Sequence, residues 1–148
     1  MKAAIHTRYG APDVVEIAEQ EKPVPEDDEV LIKVHAASVN PYDWHFMRGL
    51  PYPLRAVAGF GRPKDTRLGL DVAGRIEAVG RNVTQFKPGD AVFGAGRGAF
   101  AEYVCAEESK VALKPENVTS EQAAAVPIAG LTALQGSAER ISPRWAGS

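Results

Sequence analysis

The sequence is poor in cysteine, because Cys105 is the single one among 148 residues. One cysteine excludes a disulfide framework within the chain and fits a reducing cytoplasm, where we expect the protein to be located. The net charge is only −2, from 17 basic and 19 acidic residues. Such a balance predicts neither a nucleic-acid partner nor an acidic membrane partner. No apolar run approaches a membrane span, and the first residues lack the apolar segment of a signal peptide.

What the sequence does contain is a series of short strand patterns separated by Gly/Pro turns. The apolar content of 45% is enough for one modest hydrophobic core. Residues that favour strands predict seven of them: Met1–His6, Val14–Ala18, Val30–Val39, Val72–Val79, Ala91–Phe93, Ala99–Cys105 and Val111–Leu113. Many short strands with such turns predict a mainly β domain, a barrel or a sandwich.

The stretch from Leu31 to Asp71 holds the candidate site. Asn40–Pro41 stops the third strand, because proline has no backbone N–H to donate. Pro41 also suits the first residue of a short helix, Tyr42–Arg48, that Gly49 ends. This strand-to-helix corner gathers four side chains suited to a pocket wall: Asn40, Asp43, Trp44 and His45.

The pattern changes from strand to helix near Thr119. Thr119 and Gln122 have the spacing of a capping box. We expect a helical segment over residues 119–136, interrupted at Pro127. Pro143 and Gly147 disfavour a long terminal helix, so residues 137–148 are expected to form an irregular tail.

Five motifs together resemble one known family. They are VLIKVHAASVNPYD, GLDVAGRIEAVG, FKPGDAVFG, AFAEYV and AAAVPIAGLTA, in that order along residues 30–133. They resemble the catalytic, GroES-like domain of medium-chain dehydrogenases/reductases. The resemblance implies a GroES-like, partly open β-barrel with short helices over residues 1–118 and a C-terminal helical segment. In the family, that segment leads into a nucleotide-binding Rossmann domain. We therefore expect a truncated chain that is inactive alone.

The resemblance also bears on zinc, since a catalytic zinc site requires three protein ligands. In the zinc members of the family, the place of Asn40 holds a cysteine and the place of Leu70 a histidine. The structural zinc loop requires four cysteines, whereas this chain has one. The resemblance therefore points to the zinc-independent quinone oxidoreductases, with no metal site. Their cofactor, expected to be NADPH here, passes a hydride to a quinone or to an activated alkene or carbonyl.

Three residues are catalytic candidates through the resemblance, each with a structural alternative. The amide of Asn40 can donate to a carbonyl or accept from a cofactor ribose hydroxyl, or it can simply satisfy a turn. The phenol of Tyr52 can polarise a substrate carbonyl, or its ring can pack in a loop. His45 can donate a proton near neutral pH, or it can lie exposed on the short helix.

The remaining candidates concern the cofactor and the pocket. Thr132 matches a threonine that meets the nicotinamide end of the cofactor, although it also reads as an ordinary helix threonine. The predicted substrate pocket consists of Asp43, Trp44, Phe60 and Phe93, which are equally plausible as structural residues. Gly94 to Gly98 has the spacing G-x-G-x-G between two strands, so it predicts a flexible turn rather than a phosphate-binding loop.

Two other functions stay open at the level of sequence. One is a non-enzymatic GroES-like binding or chaperonin-type module, which would need oligomers and a mobile loop such as residues 50–68. The other is a zinc-free protein similar to alcohol dehydrogenases. The apolar segment 123–134 must pack back on the β domain, pair with another chain to form a homodimer, or stay disordered.

Overall fold

The computed structural model describes the backbone of residues 1–141 and the side chains of residues 1–137. Its seven strands are β1 (Lys2–His6), β2 (Val15–Glu19), β3 (Glu29–Ser38), β4 (Asp71–Val79), β5 (Ala91–Ala95), β6 (Tyr103–Glu107) and β7 (Val111–Leu113). Its α-helices are α1 (Pro41–Arg48), α2 (Arg55–Ala58), α3 (Ser120–Ala124) and α4 (Pro127–Ile141). The mainly β fold with short helices and a C-terminal helical segment is therefore confirmed.

The main sheet is open and antiparallel, with strand order β6-β3-β4-β5-β7. β3 lies inside it, between β6 and β4, and its alternating Val30 and Ile32 are fully buried. These side chains pack with Val72 of β4 and Val92 of β5 in one core cluster. Each such side chain contributes about 1.5–3 kcal/mol when it is removed from water. The core therefore fixes β3 and β4, the two strands whose ends form the corner.

The register of β3 against β4 brings two distant parts of the sequence together. Val30 pairs with Val79, and the ladder continues to the pair Ser38 and Asp71. The last residue of β3 thus lies opposite the first residue of β4. Asn40, two residues after β3, consequently lies beside Asp71. It immediately precedes α1.

β1 and β2 form a separate antiparallel pair. The backbone of β1 also bonds to the loops on its other side, because Ala4 N–H donates to Phe100 O at 2.8 Å and His6 N–H to Thr66 O at 2.9 Å. These bonds fasten the pair to the main sheet without closing a barrel. None of the helices in the described residues has the length and apolar character that crossing a bilayer demands.

α1 follows the sequence prediction closely. Pro41 is its first residue, and the Asn40 N–H donates to the Asp43 carboxylate at 2.8 Å, the capping pattern of a helix start. Gly49 ends the helix with φ 62°, a left-handed conformation that glycine adopts without a steric penalty.

Two predicted boundaries differ from the structure. β6 begins at Tyr103 rather than Ala99, because Phe100 and Ala101 instead pair with β1 and the Ala99 N–H donates to Gly69 O. The helical segment is two helices that divide before Pro127, and α4 continues to Ile141 instead of ending at Gly136. Ala138, Glu139 and Arg140 favour helix, which explains the longer helix. The rest of the predicted tail, residues 142–148, lies outside the described residues.

Candidate functional site

The corner between β3 and α1 is held by a network of side chains. The Asn40 amide Nδ2 donates to Asp71 Oδ2 at 3.0 Å and approaches Ser38 Oγ at 3.3 Å. The Ser38 hydroxyl donates to the same Asp71 oxygen at 3.3 Å. Because the strand register places Ser38 opposite Asp71, the sheet itself brings these three side chains together.

Asp71 is the centre of this network and is fully buried, at 0% exposure. Its carboxylate also accepts the backbone N–H of Ile128, at 3.2 Å to Oδ2 and 3.3 Å to Oδ1. Ile128 lies in the first turn of α4, where backbone N–H groups lack partners within the helix. Asp71 therefore connects β4, the end of β3 and the start of α4.

Sequence reasoning did not select Ser38 or Asp71 as site residues. A signal for Asp71 exists in the sequence, since it is an acid in the apolar run GLDVAG. A charged side chain in a buried strand requires hydrogen-bonding partners. Nothing in the sequence, however, identifies Asn40 and Ile128 as those partners, because the pairing depends on strand register and helix placement.

Asp43 lies in the first turn of α1, and its side chain is on the buried side of the helix, at 6% exposure. It accepts the Asn40 N–H and borders a small cavity with His6 and Arg67. Burial raises the pKa of Asp43, and the charge of Asp71 raises it further. The structure thus places Asp43 next to the network, in a capping position that faces the interior.

His45 and Trp44 lie on the outer side of α1. His45 is exposed, and its Nδ1 is 3.0 Å from the carbonyl oxygen of Leu50. Trp44 is 44% exposed, and the Arg48 guanidinium lies 4.9 Å from its ring centroid. Both side chains border solvent at the same face of the helix.

Tyr52 lies in the loop after α1, at 69% exposure. The Arg55 guanidinium lies between two rings, 4.9 Å from the Tyr52 centroid and 4.6 Å from the Tyr9 centroid. Arg55 Nε also donates to Gly49 O at 3.0 Å. This stack holds the Tyr52 ring by one face and leaves the side chain accessible to a ligand.

Phe93 and α4 border a large apolar cavity of about 750 Å³. Phe93 packs against Ala73, Ala123 and Ala124, so part of its ring serves the core. Leu131 and Leu134 of α4 also line this cavity and remain 58% and 68% exposed. An apolar groove therefore runs along α4 beside the Asn40 corner.

Thr132 and Phe60 are both exposed, Phe60 at 78%. Within residues 1–137, hydrogen bonds and ring contacts connect neither of them to Asn40. Thr132 nevertheless belongs to α4, one turn after Ile128, which bonds to Asp71. The structure thus unites Asn40 with Ser38, Asp43 and Asp71 and keeps Phe60 apart.

Cys105 is the only thiol in the sequence. Burial raises the pKa of its thiol to about 11, so the reactive thiolate is scarce at neutral pH. The cysteine is half-buried on β6. It is poorly suited to act as a nucleophile.

The donor groups of the corner do not fit a zinc ion. Asn40 and Leu70 flank Asp71, and neither an amide nor an aliphatic side chain is a good zinc ligand. Among the side chains that the structure describes, no three His, Cys, Asp or Glu residues converge as metal ligands.

Side chains at the corner, on α4 and on β5 have the chemistry that one end of a nicotinamide cofactor requires. The Asn40 amide and the Thr132 hydroxyl offer hydrogen bonds, and Phe93 borders an apolar groove. The pyrophosphate does not fit the Ile128 N–H at the start of α4, because the Asp71 carboxylate already accepts that N–H. The Gly94–Gly98 segment leads from β5 toward β6 and not into a helix.

Comparison with known proteins identifies relatives. The sequence profile described as "Alcohol dehydrogenase GroES-like domain" matches residues 26–116. A chloroplastic quinone-oxidoreductase homolog of Spinacia oleracea is 38% identical over 140 residues, which are 91% of this chain and 41% of that protein. A zinc-type alcohol dehydrogenase-like protein of Staphylococcus aureus is 38% identical over 127 residues, 83% of this chain and 35% of that protein.

Solved structures agree with the sequence relatives. The quinone oxidoreductase from Coxiella burnetii matches with a TM-score of 0.85 and 32% identity over 94% of this chain and 44% of that one. The Escherichia coli quinone oxidoreductase complexed with NADPH matches with a TM-score of 0.83 and 26% identity, over 96% of this chain and 42% of that one.

The chain spans about two fifths of the length of the curated relatives it matches. The profile covers more than half of the 148 residues. Its strands and short helices superpose on those of quinone oxidoreductases, which confirms the predicted GroES-like fold. The chain therefore belongs to the alcohol dehydrogenase GroES-like domain family.

Proposed function

We propose that this chain is the catalytic domain of an NADPH-dependent oxidoreductase that reduces quinones or activated alkenes and carbonyls by hydride transfer. One observation carries the proposal: the buried Asp71 carboxylate holds the Asn40 side chain and also accepts the N–H of Ile128, a residue that lines an apolar groove. Relatives described as quinone oxidoreductases, one of them complexed with NADPH, support it. A fixed amide beside an apolar groove is suited to hold a nicotinamide ring.

Each candidate residue has a role in this proposal. The cofactor supplies the hydride, and Asn40 and Thr132 bind its nicotinamide end. The Tyr52 hydroxyl donates to the substrate oxygen, where negative charge develops during hydride attack. His45 supplies a proton from the outer face of α1. Trp44 and Phe93 provide flat apolar surface for the substrate ring, whereas Phe60, which lies apart from Asn40, takes no part.

The proposed activity depends on a second domain. We assign residues 1–118 to the GroES-like β domain and residues 119–136 to a segment that leads toward a nucleotide-binding domain. That second domain would bind the adenosine and pyrophosphate of the cofactor, for which the described residues offer no glycine-rich loop opening a helix. The 148 residues alone are then inactive.

Location and assembly are also part of the proposal. We place the protein in the cytoplasm, on the basis of its single cysteine. The exposed Leu131 and Leu134 on α4 provide apolar surface for a homodimer contact or for the second domain. The ligand partner is a small quinone or enone.

A chimera tests the function. Residues 1–136 are joined to the nucleotide-binding domain of the Escherichia coli quinone oxidoreductase, and circular dichroism and NADPH binding verify folding. The expected result is quinone-dependent NADPH oxidation that a metal chelator leaves unchanged. A folded chimera that binds NADPH without turnover, or that loses turnover with the chelator, contradicts the proposal.

A further inference from the structure

We propose that Asp71 is a positioning residue that fixes the direction of the Asn40 amide, so that Asn40 offers only its carbonyl oxygen to a ligand. The inference rests on the proposed function for the identity of that ligand, the nicotinamide end of NADPH. It assigns Asn40 as a hydrogen-bond acceptor for the cofactor and excludes it as the donor to the substrate carbonyl.

The direction of the amide follows from the chemistry of its partner. Asp71 receives three donors, namely the Ser38 hydroxyl, the Asn40 amide and the Ile128 N–H. A carboxylate that receives donors on both oxygens acts as an acceptor, and only the NH₂ end of an amide donates. The nitrogen end of Asn40 therefore faces Asp71.

Ser38 reinforces the same direction. Its hydroxyl has a single proton, which goes to Asp71 Oδ2 at 3.3 Å. Its lone pair then faces the Asn40 Nδ2, also at 3.3 Å. Reversing the amide would place the Asn40 carbonyl oxygen against the Asp71 carboxylate and the Ser38 oxygen. Two oxygen–oxygen contacts beside a fully buried charge are strongly unfavourable.

The consequence is a division of roles between Asn40 and Tyr52. The carbonyl oxygen of Asn40 has two lone pairs and is able to accept from a ribose hydroxyl or from the carboxamide N–H of the nicotinamide. The NH₂ end is engaged by Asp71. Among the sequence-predicted site residues, the exposed Tyr52 and His45 then remain as donors, with Tyr52 donating to the substrate oxygen.

Asp71 also connects the two elements that carry the proposed cofactor contacts. Its bonds to the Ile128 N–H fix the first turn of α4 against the corner. Thr132 lies four residues later, and residues at i and i+4 share one helix face. A single carboxylate thus connects Asn40, next to α1, with α4, the helix that carries Thr132.

Nuclear magnetic resonance on the 148-residue chain tests the inference without turnover. In the wild-type chain, the side-chain NH₂ of Asn40 should exchange with solvent at least about ten times more slowly than that of Asn117, an exposed asparagine in the same spectrum. Equal exchange rates for Asn40 and Asn117 in the folded chain would overturn the assignment.

Asp71→Asn provides the decisive variant. The new amide keeps an oxygen for Ile128 and turns its NH₂ toward Asn40, so Asn40 reverses and its own NH₂ becomes free. We expect Asn40 NH₂ exchange to approach that of Asn117, while backbone amides of β3 and β4 stay protected. If Asp71 had only a structural role, Asp71→Asn would instead accelerate hydrogen exchange of all of these amides together, or it would leave the Asn40 NH₂ protected. Ser38→Ala removes the two Ser38 contacts and leaves the bond between Asn40 and Asp71. It should give an intermediate exchange rate, and it keeps the test valid if Asp71→Asn unfolds.

Reduced nicotinamide mononucleotide is the ligand probe. It should shift the Asn40 and Thr132 signals, and Asp71→Asn should weaken its binding about fivefold, the effect of one misdirected hydrogen bond. If Asn40 is protected but the probe shifts neither residue, the proposed function and the cofactor role of Asn40 both fail. If the probe binds equally well to both proteins and Asn40 is unprotected, the positioning role of Asp71 fails while the proposed function stands.

Discussion

Buried polar side chains surround the corner between β3 and α1. Three polar or charged residues of the described chain are buried: Asp71 at 0%, His6 at 2% and Asp43 at 6% exposure. Asp71 holds Asn40, Asp43 caps α1, and His6 borders the same small cavity as Asp43. Burial of such groups is costly unless they are hydrogen-bonded, so their concentration here indicates a constrained site.

At Asn40 and Tyr52, we predict losses of catalysis in the chimera described above. Asn40→Ala and Tyr52→Phe should each reduce quinone reduction by about ten- to a thousandfold, if each removes one hydrogen bond made in the transition state. Steady-state kinetics with NADPH and a quinone measures the effect. Asn117→Ala and Tyr42→Phe are the matched controls. Rates in the site variants equal to those of the controls would assign Asn40 and Tyr52 to structural roles.

His6 makes stability depend on pH in a predictable direction. Burial lowers the pKa of His6, and its Nδ1 is buried without a hydrogen-bond partner among the described residues. Unfolded His6 takes up a proton as the pH falls below about 6.5, whereas folded His6 does not. The unfolded state therefore binds more protons, and stability is lost as the pH decreases from 7 toward the lowered pKa.

Urea unfolding between pH 7 and pH 5 measures this effect. His6→Gln should remove a slope of up to about 1.4 kcal/mol per pH unit. His35→Gln, at an exposed position, should keep the wild-type slope. An unchanged slope in His6→Gln would show that other groups cause the acid sensitivity.

At the scale of elements, the end of α1 controls the loop that carries Tyr52. Gly49 has φ 62°, and a Cβ there would lie 2.7 Å from the Tyr9 ring and 2.9 Å from Arg55 Nε. Gly49→Ala should therefore cost about 1–2 kcal/mol or more in backbone strain alone and disturb the stack of Arg55 with Tyr52.

Gly136→Ala is the matched control for Gly49→Ala. A Cβ at Gly136 meets nothing within 4 Å, inside helix α4. This substitution should be neutral or stabilise by up to about 1 kcal/mol. Urea unfolding of both variants compares the two sites. Equal stability of the Gly49→Ala and wild-type chains would contradict the described geometry of the α1 terminus.

The elements differ in how far the sequence predicts them. Alternating Val30, Ile32 and Val34 predict β3, and Pro41 with Gly49 predicts both ends of α1, because these signals are local. The start of β6 was mispredicted, because Phe100 bonds to β1, nearly a hundred residues earlier in the chain. The hydrogen-bond partners of Asp71 were equally unpredictable from the sequence, because they depend on strand register and on the position of α4.

At the scale of the whole molecule, the fold is shared by relatives described both as quinone oxidoreductases and as zinc-type proteins. The fold alone therefore does not determine whether a metal binds. The side chains at the site determine it. Asn40, Leu70 and the lone Cys105 do not form a zinc site. We predict no stoichiometric zinc in the purified chain, measured by elemental analysis after dialysis against zinc-containing buffer. One tightly bound zinc per chain would overturn the zinc-independent assignment.

The central claim is that these 148 residues contact the nicotinamide end of NADPH and little else of the cofactor. The most direct measurement is a parallel titration of the chain with NADPH and with reduced nicotinamide mononucleotide, followed through the Asn40 and Thr132 resonances. If only the nicotinamide end is contacted, both ligands should bind with similar affinity, no tighter than about millimolar, and shift the same signals. Micromolar binding of NADPH, far tighter than the mononucleotide, or no shift at either residue, would contradict the account.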